Sequence, residues 1–361
     1  MDKMELLDHL HRLRQAEENG LVTERQEGHL SLFKYTQDCA FKKRWSKTAK
    51  KARGIILDNR TGAIVCRPFD KFFNIDEMPG TKRKAILHRM KMRKFKVYDK
   101  LDGSMIALWY YDGRWHTSTT GAINSKHSEH AMGLLESKYP QYQELSPNQT
   151  YLFEMIGVDW DRKVVHYKEE KLVLLAMMWN EWDLRECSDE VLDAVASHCG
   201  FGRPVMFDFD PDEVLSGDHI DDDAEGYVIQ LADGTRTKLK SLRYVRLHRF
   251  MGFIRPKRII EFMRSHTDYD DLLDSLPVHM LEQFDDLFAA INGIKSEVLD
   301  EVEAVWRLVE DPENYKACAL LFAENASEEV RSILFARMRG KPIEEVVWKA
   351  VEKRTIEEII Q

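Results

Sequence analysis

Three stretches of this chain read as strand–turn–strand, and together they commit much of its first 250 residues to antiparallel sheet. Met105 to Tyr111 is an apolar run closed by Asp112-Gly113 and answered by Trp115 to Thr119, the signature of a hairpin with a tight primed turn. Ala52 to Leu57 and Ala63 to Cys66 flank a turn at Asp58 to Gly62. Ala224 to Leu231 turns at Asp233-Gly234 into Thr235 to Ser241. Further strands are predicted at His29 to Tyr35, Thr150 to Gly157 and Lys171 to Trp179. Helical spacing marks Met4, Leu7, Leu10 and Leu13 before Gly20, then Lys126 to Tyr139 and Ser188 to His198.

After Arg258 the pattern changes to helices alone. They are predicted at Ile259 to Ser265, Met280 to Ala290, Lys295 to Val309, Pro312 to Ala323, Ser327 to Arg339 and Pro342 to Ile360. Gly340 followed by Pro342 gives a stop and a restart. The expected architecture is α+β in two domains: residues 1–250 built from antiparallel sheets with flanking helices, and an all-helical domain over residues 251–361.

Five scattered cysteines without a Cys-x-x-Cys pair argue against a disulfide framework or a structural zinc site. No apolar run is long enough to span a bilayer, and no membrane partner is expected. A soluble protein of the reducing cytoplasm is the expectation. The net charge of −9 conceals a strong asymmetry. Phe41 to Lys100 holds nineteen basic and five acidic residues, a net of +14, and Thr235 to Arg258 holds nine basic residues and no acidic one. Ile259 to Gln361 carries a net of −12. Clustered positive charge beside an acidic remainder suits a phosphate-binding cleft, although Lys82 to Lys96 also reads as a solvated basic helix or loop.

Lys100 stands in Lys100-Leu101-Asp102-Gly103, in the loop entering the central hairpin. A lysine held beside a sheet can attack an electrophile such as a nucleotide α-phosphate, and Gly103 would permit close backbone approach to a ligand. A surface lysine before a turn-forming Asp-Gly is the other reading. Arg53 and Lys71 flank the Ile55–Cys66 hairpin, placed either to hold a polyphosphate or as strand-end charges. Glu154 interrupts an apolar strand, so it is paired or functional. Alternation puts Lys238 and Lys240 on one strand face, exposed or facing an anion, and Glu225 at the start of that hairpin is placed as an oxygen ligand for magnesium. Asp221-Asp222-Asp223 reads as a solvated acidic loop.

In order, Arg53-Gly54, Lys71-Phe72-Phe73-Asn74, Lys100-Leu101-Asp102-Gly103, Phe153-Glu154, Glu225-Gly226-Tyr227-Val228, Lys238-Leu239-Lys240-Ser241 and Tyr244 resemble the ATP-dependent RNA ligase 1 family of tailed phages, within the covalent nucleotidyltransferase superfamily. The resemblance covers roughly residues 30 to 250 and implies a ligase-type nucleotidyltransferase domain. It also implies ATP as substrate, Mg²⁺ or Mn²⁺ as cofactor, and RNA with 5′-phosphate and 3′-hydroxyl ends as partner.

By the same resemblance Lys100 would form lysyl-AMP and Asp102 would support the ribose side and metal site. Glu154 would bind the ribose hydroxyls and Glu225 the catalytic metal. Lys238 and Lys240 would grip the α-phosphate, Arg53 and Lys71 would orient pyrophosphate, and Tyr244 would line the site. Two departures stand out. Thr119-Thr120-Gly121 lacks the lysine often found before that glycine, and Met105 stands where DNA ligases and capping enzymes carry arginine. The same chemistry on single-stranded DNA or nicked duplexes, or a catalytically silent nucleotide- or RNA-binding protein, are the alternatives.

Overall fold

The computed structural model describes residues 3–158, 160, 163–251, 255–265 and 278–359, and the chain divides into two compact units, Met1–Val245 and Arg246–Gln361. In the first unit, β1 (Val22–Glu27), β2 (Leu30–Tyr35), β3 (Arg53–Asp58) and β4 (Ile64–Cys66) form an antiparallel meander in chain order. The unbroken apolar run of Ile55, Ile56 and Leu57 follows from burial on both faces. Ile55 and Leu57 pack with Leu10 and Leu13 of the helix Lys3–Glu18, and Ile56 packs with Trp109 and Leu152.

The next two strands, β5 (Phe73–Asn74) and β6 (Phe95–Asp99), belong to the third sheet. The second is all antiparallel: β7 (Ser104–Tyr111), β8 (Arg114–Ser118), β9 (Gln149–Ile156) and β10 (Lys171–Trp179), in the order β10-β9-β7-β8. Asp112 and Gly113 both take left-handed backbone, φ 49° and 79°, and so close β7 onto β8 in two residues. One face of this sheet meets the first sheet, and the other packs on the helices Lys126–Lys138 and Asp189–Cys199. The third sheet adds β11 (Met206–Phe207), β12 (Gly226–Leu231) and β13 (Arg236–Lys240), ordered β11-β6-β12-β13-β5. Its back buries Val97, Ile229 and Leu239 against Ile86 and Met90 of the helix Arg83–Met92.

The architecture is α+β with antiparallel sheets, apart from one parallel pair, β13 beside β5. The basic stretch Lys82 to Lys96 is a packed helix followed by a strand, not a loop, because Ile86 and Met90 one turn apart give it a buried stripe. β1 carries only one buried apolar residue, Val22, which hides it from any alternation test.

The second unit is helical in its described residues: Pro256–Ser265, Val278–Trp306, Tyr315–Asn325, Glu328–Met338 and Glu344–Ile359. Two helices expected at Met280 to Ala290 and Lys295 to Val309 are one. Leu287, Ile291, Ile294, Val298 and Val302 keep a continuous buried stripe across Asn292-Gly293. That burial outweighs the roughly 1 kcal/mol that a mid-helix glycine costs. All five cysteines are free thiols, and among the described residues no helix is long and apolar enough to cross a membrane.

Trp109 joins the first two sheets: it is fully buried, stacks on His116 at 4.7 Å and donates from Nε1 to Ser118 Oγ at 3.1 Å. Trp109→Ala is expected to cost about 3–5 kcal/mol in urea unfolding; a loss under 1 kcal/mol would mean the two sheets are held together elsewhere.

Candidate active site

Lys100 lies in the loop that carries the chain from β6 in the third sheet to β7 in the second. Its N–H donates to Gly226 O at 2.9 Å, which pins the loop to the start of β12. Gly103 donates to Glu154 Oε1 at 3.1 Å, and a Cβ there would stand 2.4 Å from Met155 O. The glycine therefore serves close approach to β9, and it also lines a cavity beside Lys100.

Asp102 is buried, and its carboxylate is fully engaged by the protein. Oδ2 accepts from the Val164 and Val165 amides at 2.8 and 3.1 Å, and Oδ1 from the Tyr244 hydroxyl at 3.0 Å. Asp102 and Tyr244 thus hold each other inside the fold, beside the lysine loop. Both are buried posts that fix the lysine loop, because their polar atoms are used inside the fold. Tyr244 also lies under the Lys240 ammonium, 4.7 Å from the ring centre.

A cavity of about 1390 Å³ opens beside Lys100 and is also lined by Arg53, Lys71, Glu154 and Lys238. Glu225, only 3% exposed, places Oε2 2.7 Å from Lys100 Nζ and Oε1 2.7 Å from Lys240 Nζ. For Lys100 and Lys240, though not for Lys238, the facing anion is thus supplied by the protein itself.

The remaining cations have no such partner. Among the described residues no carboxylate forms an ion pair with Arg53, Lys71 or Lys238. Arg53 donates from Nη1 to Met105 Sδ at 3.3 Å, Lys71 stands 5.2 Å from the Phe73 ring centre, and Lys238 lies 4.7 Å over Phe72. Burial lowers the pKa of all three. Lys238 falls to about 7 through burial first, then through Arg53, Lys100, Lys71 and Lys240 around it. Burial likewise raises Glu154 to about 7, against the pull of Lys100 and with the push of Glu225.

The sequence reading missed the far end of the cavity. Arg236 forks onto Glu186 with both Nη atoms and stacks 4.6 Å over Phe69, while Gln230 Nε2 donates to Glu186 Oε2 at 3.3 Å. Arg236 was legible as the next member of the Lys240, Lys238 alternation; Glu186, fifty residues away, gave no local signal.

The family model described as RNA ligase matches residues 51–249, and the chain belongs to the RNA ligase family. Its relatives include a putative bifunctional polynucleotide kinase/RNA ligase of Autographa californica nuclear polyhedrosis virus, 26% identical over 245 residues, 62% of this chain and 34% of that protein. An RNA ligase of Rhodothermus phage RM378 is 30% identical over 191 residues, 42% of each chain. The chain thus spans between a third and a half of the length of these two relatives. Among solved structures, an archaeal ATP-dependent RNA ligase superposes with a TM-score of 0.50 at 15% identity, covering 82% of this chain and 83% of that one, a likeness of fold.

Lys238 supplies a test that needs no substrate. Its folded pKa of about 7 lies below the ordinary 10.5, so between those values the unfolded chain holds a proton that the folded chain lacks. Lys238 therefore destabilises the fold fully at and below pH 7, and the penalty fades as pH approaches 10.5. Lys238→Met is expected to raise Tm most at pH 7 and hardly at all near pH 10. A Tm difference that does not change with pH would contradict a half-buried ammonium without an ion-pair partner.

Proposed function

We propose that this chain is an ATP-dependent RNA ligase that works through a lysyl-AMP at Lys100. The observation that carries the reading is Lys100 sharing one cavity with Arg53, Lys71 and Lys238, three half-buried cations that form no ion pair with a carboxylate among the described residues. Such a group is matched by a triphosphate more readily than by any neutral ligand. Lys100 Nζ, once its proton has left, attacks the α-phosphorus. The N–P bond forms as the bond to the bridging oxygen breaks, and pyrophosphate leaves with the electron pair.

Lys238 faces the α-phosphate, with Lys240 held beside it by Glu225, while Arg53 and Lys71 stabilise charge on the departing pyrophosphate. Glu154 keeps one oxygen on the Gly103 amide and offers the other to the ribose hydroxyls. Glu225, whose two oxygens are shared with Lys100 and Lys240, would be the protein ligand of magnesium or manganese; bound through that carboxylate, waters and the phosphates, the ion would neutralise the triphosphate.

AMP would then pass to an RNA 5′-phosphate, and a 3′-hydroxyl would expel it. The RNA ligase family membership of residues 51–249 supports RNA as the substrate. Residues 1–250 would carry the nucleotidyl chemistry. The acidic residues 251–361 would bear on which ends are sealed more than on phosphate affinity, since a net negative surface repels the backbone.

ATP labelled at the α-phosphate, with Mg²⁺, is expected to label the protein, and Lys100→Ala to abolish labelling. A chain ended near Arg258 is expected to keep it. Label transfer that survives in Lys100→Ala would overturn the nucleophile. Joining assays on single-stranded RNA, single-stranded DNA and nicked duplexes would test the substrate, with RNA preferred.

A further inference from the structure

The face of the third sheet that fronts the cavity is a grid of cross-strand neighbours. Lys238 pairs with Val228 and Val228 with Tyr98; one step further, Arg236 pairs with Gln230 and Gln230 with Lys96. Paired residues share a face, and all six line the cavity. Lys100 anchors to Gly226, so Gln230 stands four residues further along β12, roughly 13 Å at strand rise. A nucleoside monophosphate spans such a separation from phosphorus to base edge. Between the two ends Val228 on β12 and Leu175 on β10 offer apolar walls suited to the faces of a base.

Gln230 is not free to present either end of its amide. Its partner Glu186 already takes both Nη atoms of Arg236, and an ionised carboxylate only accepts. The Gln230 contact at Glu186 Oε2 must therefore be the NH₂ end, 3.3 Å away. That leaves Oε1 as the end turned from Glu186, and no described donor bonds to it. Glu186 acts as the pin, Arg236 holds Glu186, and Phe69 supports Arg236 from below at 4.6 Å.

We propose that Gln230 is the residue that reads the nucleobase, its Oε1 accepting from the exocyclic amine of adenine. Resting on the nucleotide reading above, it goes beyond it by assigning base choice to one pinned amide. Adenine presents a donor at its 6-position and guanine an acceptor. Against a pinned acceptor, guanine brings two oxygens together, and the amide cannot flip without turning its NH₂ away from Glu186. A site built around one hydrogen-bond polarity rejects the wrong partner more strongly than it favours the right one.

The test measures lysyl-nucleotide formation against concentration for ATP, for purine riboside triphosphate (which has hydrogen in place of the amine) and for GTP. Wild type, Gln230→Leu and Glu186→Gln are compared, each checked for folding by circular dichroism. Wild type is expected to prefer ATP to the amine-free analogue by roughly tenfold in kcat/KM, one charge-independent hydrogen bond in a dry site. Gln230→Leu is expected to lose that preference, its KM for ATP rising to that of the analogue. Glu186→Gln, whose amide can face Gln230 with either an acceptor or a donor and so lets the Gln230 amide turn over, is expected to admit GTP. A Gln230→Leu protein that still prefers ATP to the amine-free analogue as wild type does would overturn the proposal while leaving the ligase reading standing. A wild type that forms no adduct with any triphosphate would overturn both.

Discussion

One buried carboxylate, Glu225, holds two ammonium groups, Lys100 and Lys240, each at 2.7 Å. Lys100 arrives on the loop from β6 and Lys240 at the end of β13, so the bridge fastens the lysine loop to the β12–β13 hairpin. Without Glu225 two ammonium groups would face each other in a poorly solvated site, and breaking a buried pair by losing one partner costs about 3–5 kcal/mol. The same contact keeps the Lys100 side chain aimed into the cavity. Asp102 and Tyr244 complete the arrangement by anchoring the loop through the Val164 and Val165 amides.

Around that bridge the fold leaves positive charge unanswered. Arg53, Lys71 and Lys238 lie against Met105, Phe73 and Phe72 and form no ion pair among the described residues, although Glu154 and Glu77 pull the pKa of Arg53 and Lys71 upward. Ring faces and a thioether soften the desolvation of a cation but do not cancel it. The resulting strain shows in the pKa of Lys238, lowered to about 7. A stable core elsewhere, such as the doubly buried β3 and the Trp109 contact, lets the unit carry this cost. A polyanion in the cavity would relieve it, linking stability to ligand binding.

What the sequence made legible was local. The three hairpins announced themselves because Asp58 to Gly62, Asp112-Gly113 and Asp233-Gly234 encode their turns without help from distant residues. Lys238 and Lys240 were legible as one strand face for the same reason. The Lys100–Glu225 contact spans 125 positions, and only the ordered motifs of a family could join the two in advance. The partners of Asp102, Val164 and Tyr244, lie 62 and 142 residues away and left no local signal beside Asp102-Gly103. Gln230 looked like any polar residue on a strand until Glu186 was found against it. In the tail, the helices expected on either side of residues 291–294 were separate because the buried stripe that carries one helix through them is a tertiary fact.

The central claim is that the cavity holds cationic charge awaiting a polyphosphate. Calorimetric titration of inorganic pyrophosphate into the metal-free protein at pH 8, in two buffers of different ionisation enthalpy, tests it most directly. At that pH the free protein carries Lys238 largely neutral, and an anion beside it draws its pKa back up. Binding with uptake of close to one proton, lost in Lys238→Met, is the predicted result. Pyrophosphate binding without proton uptake, or no binding at all, would contradict the account.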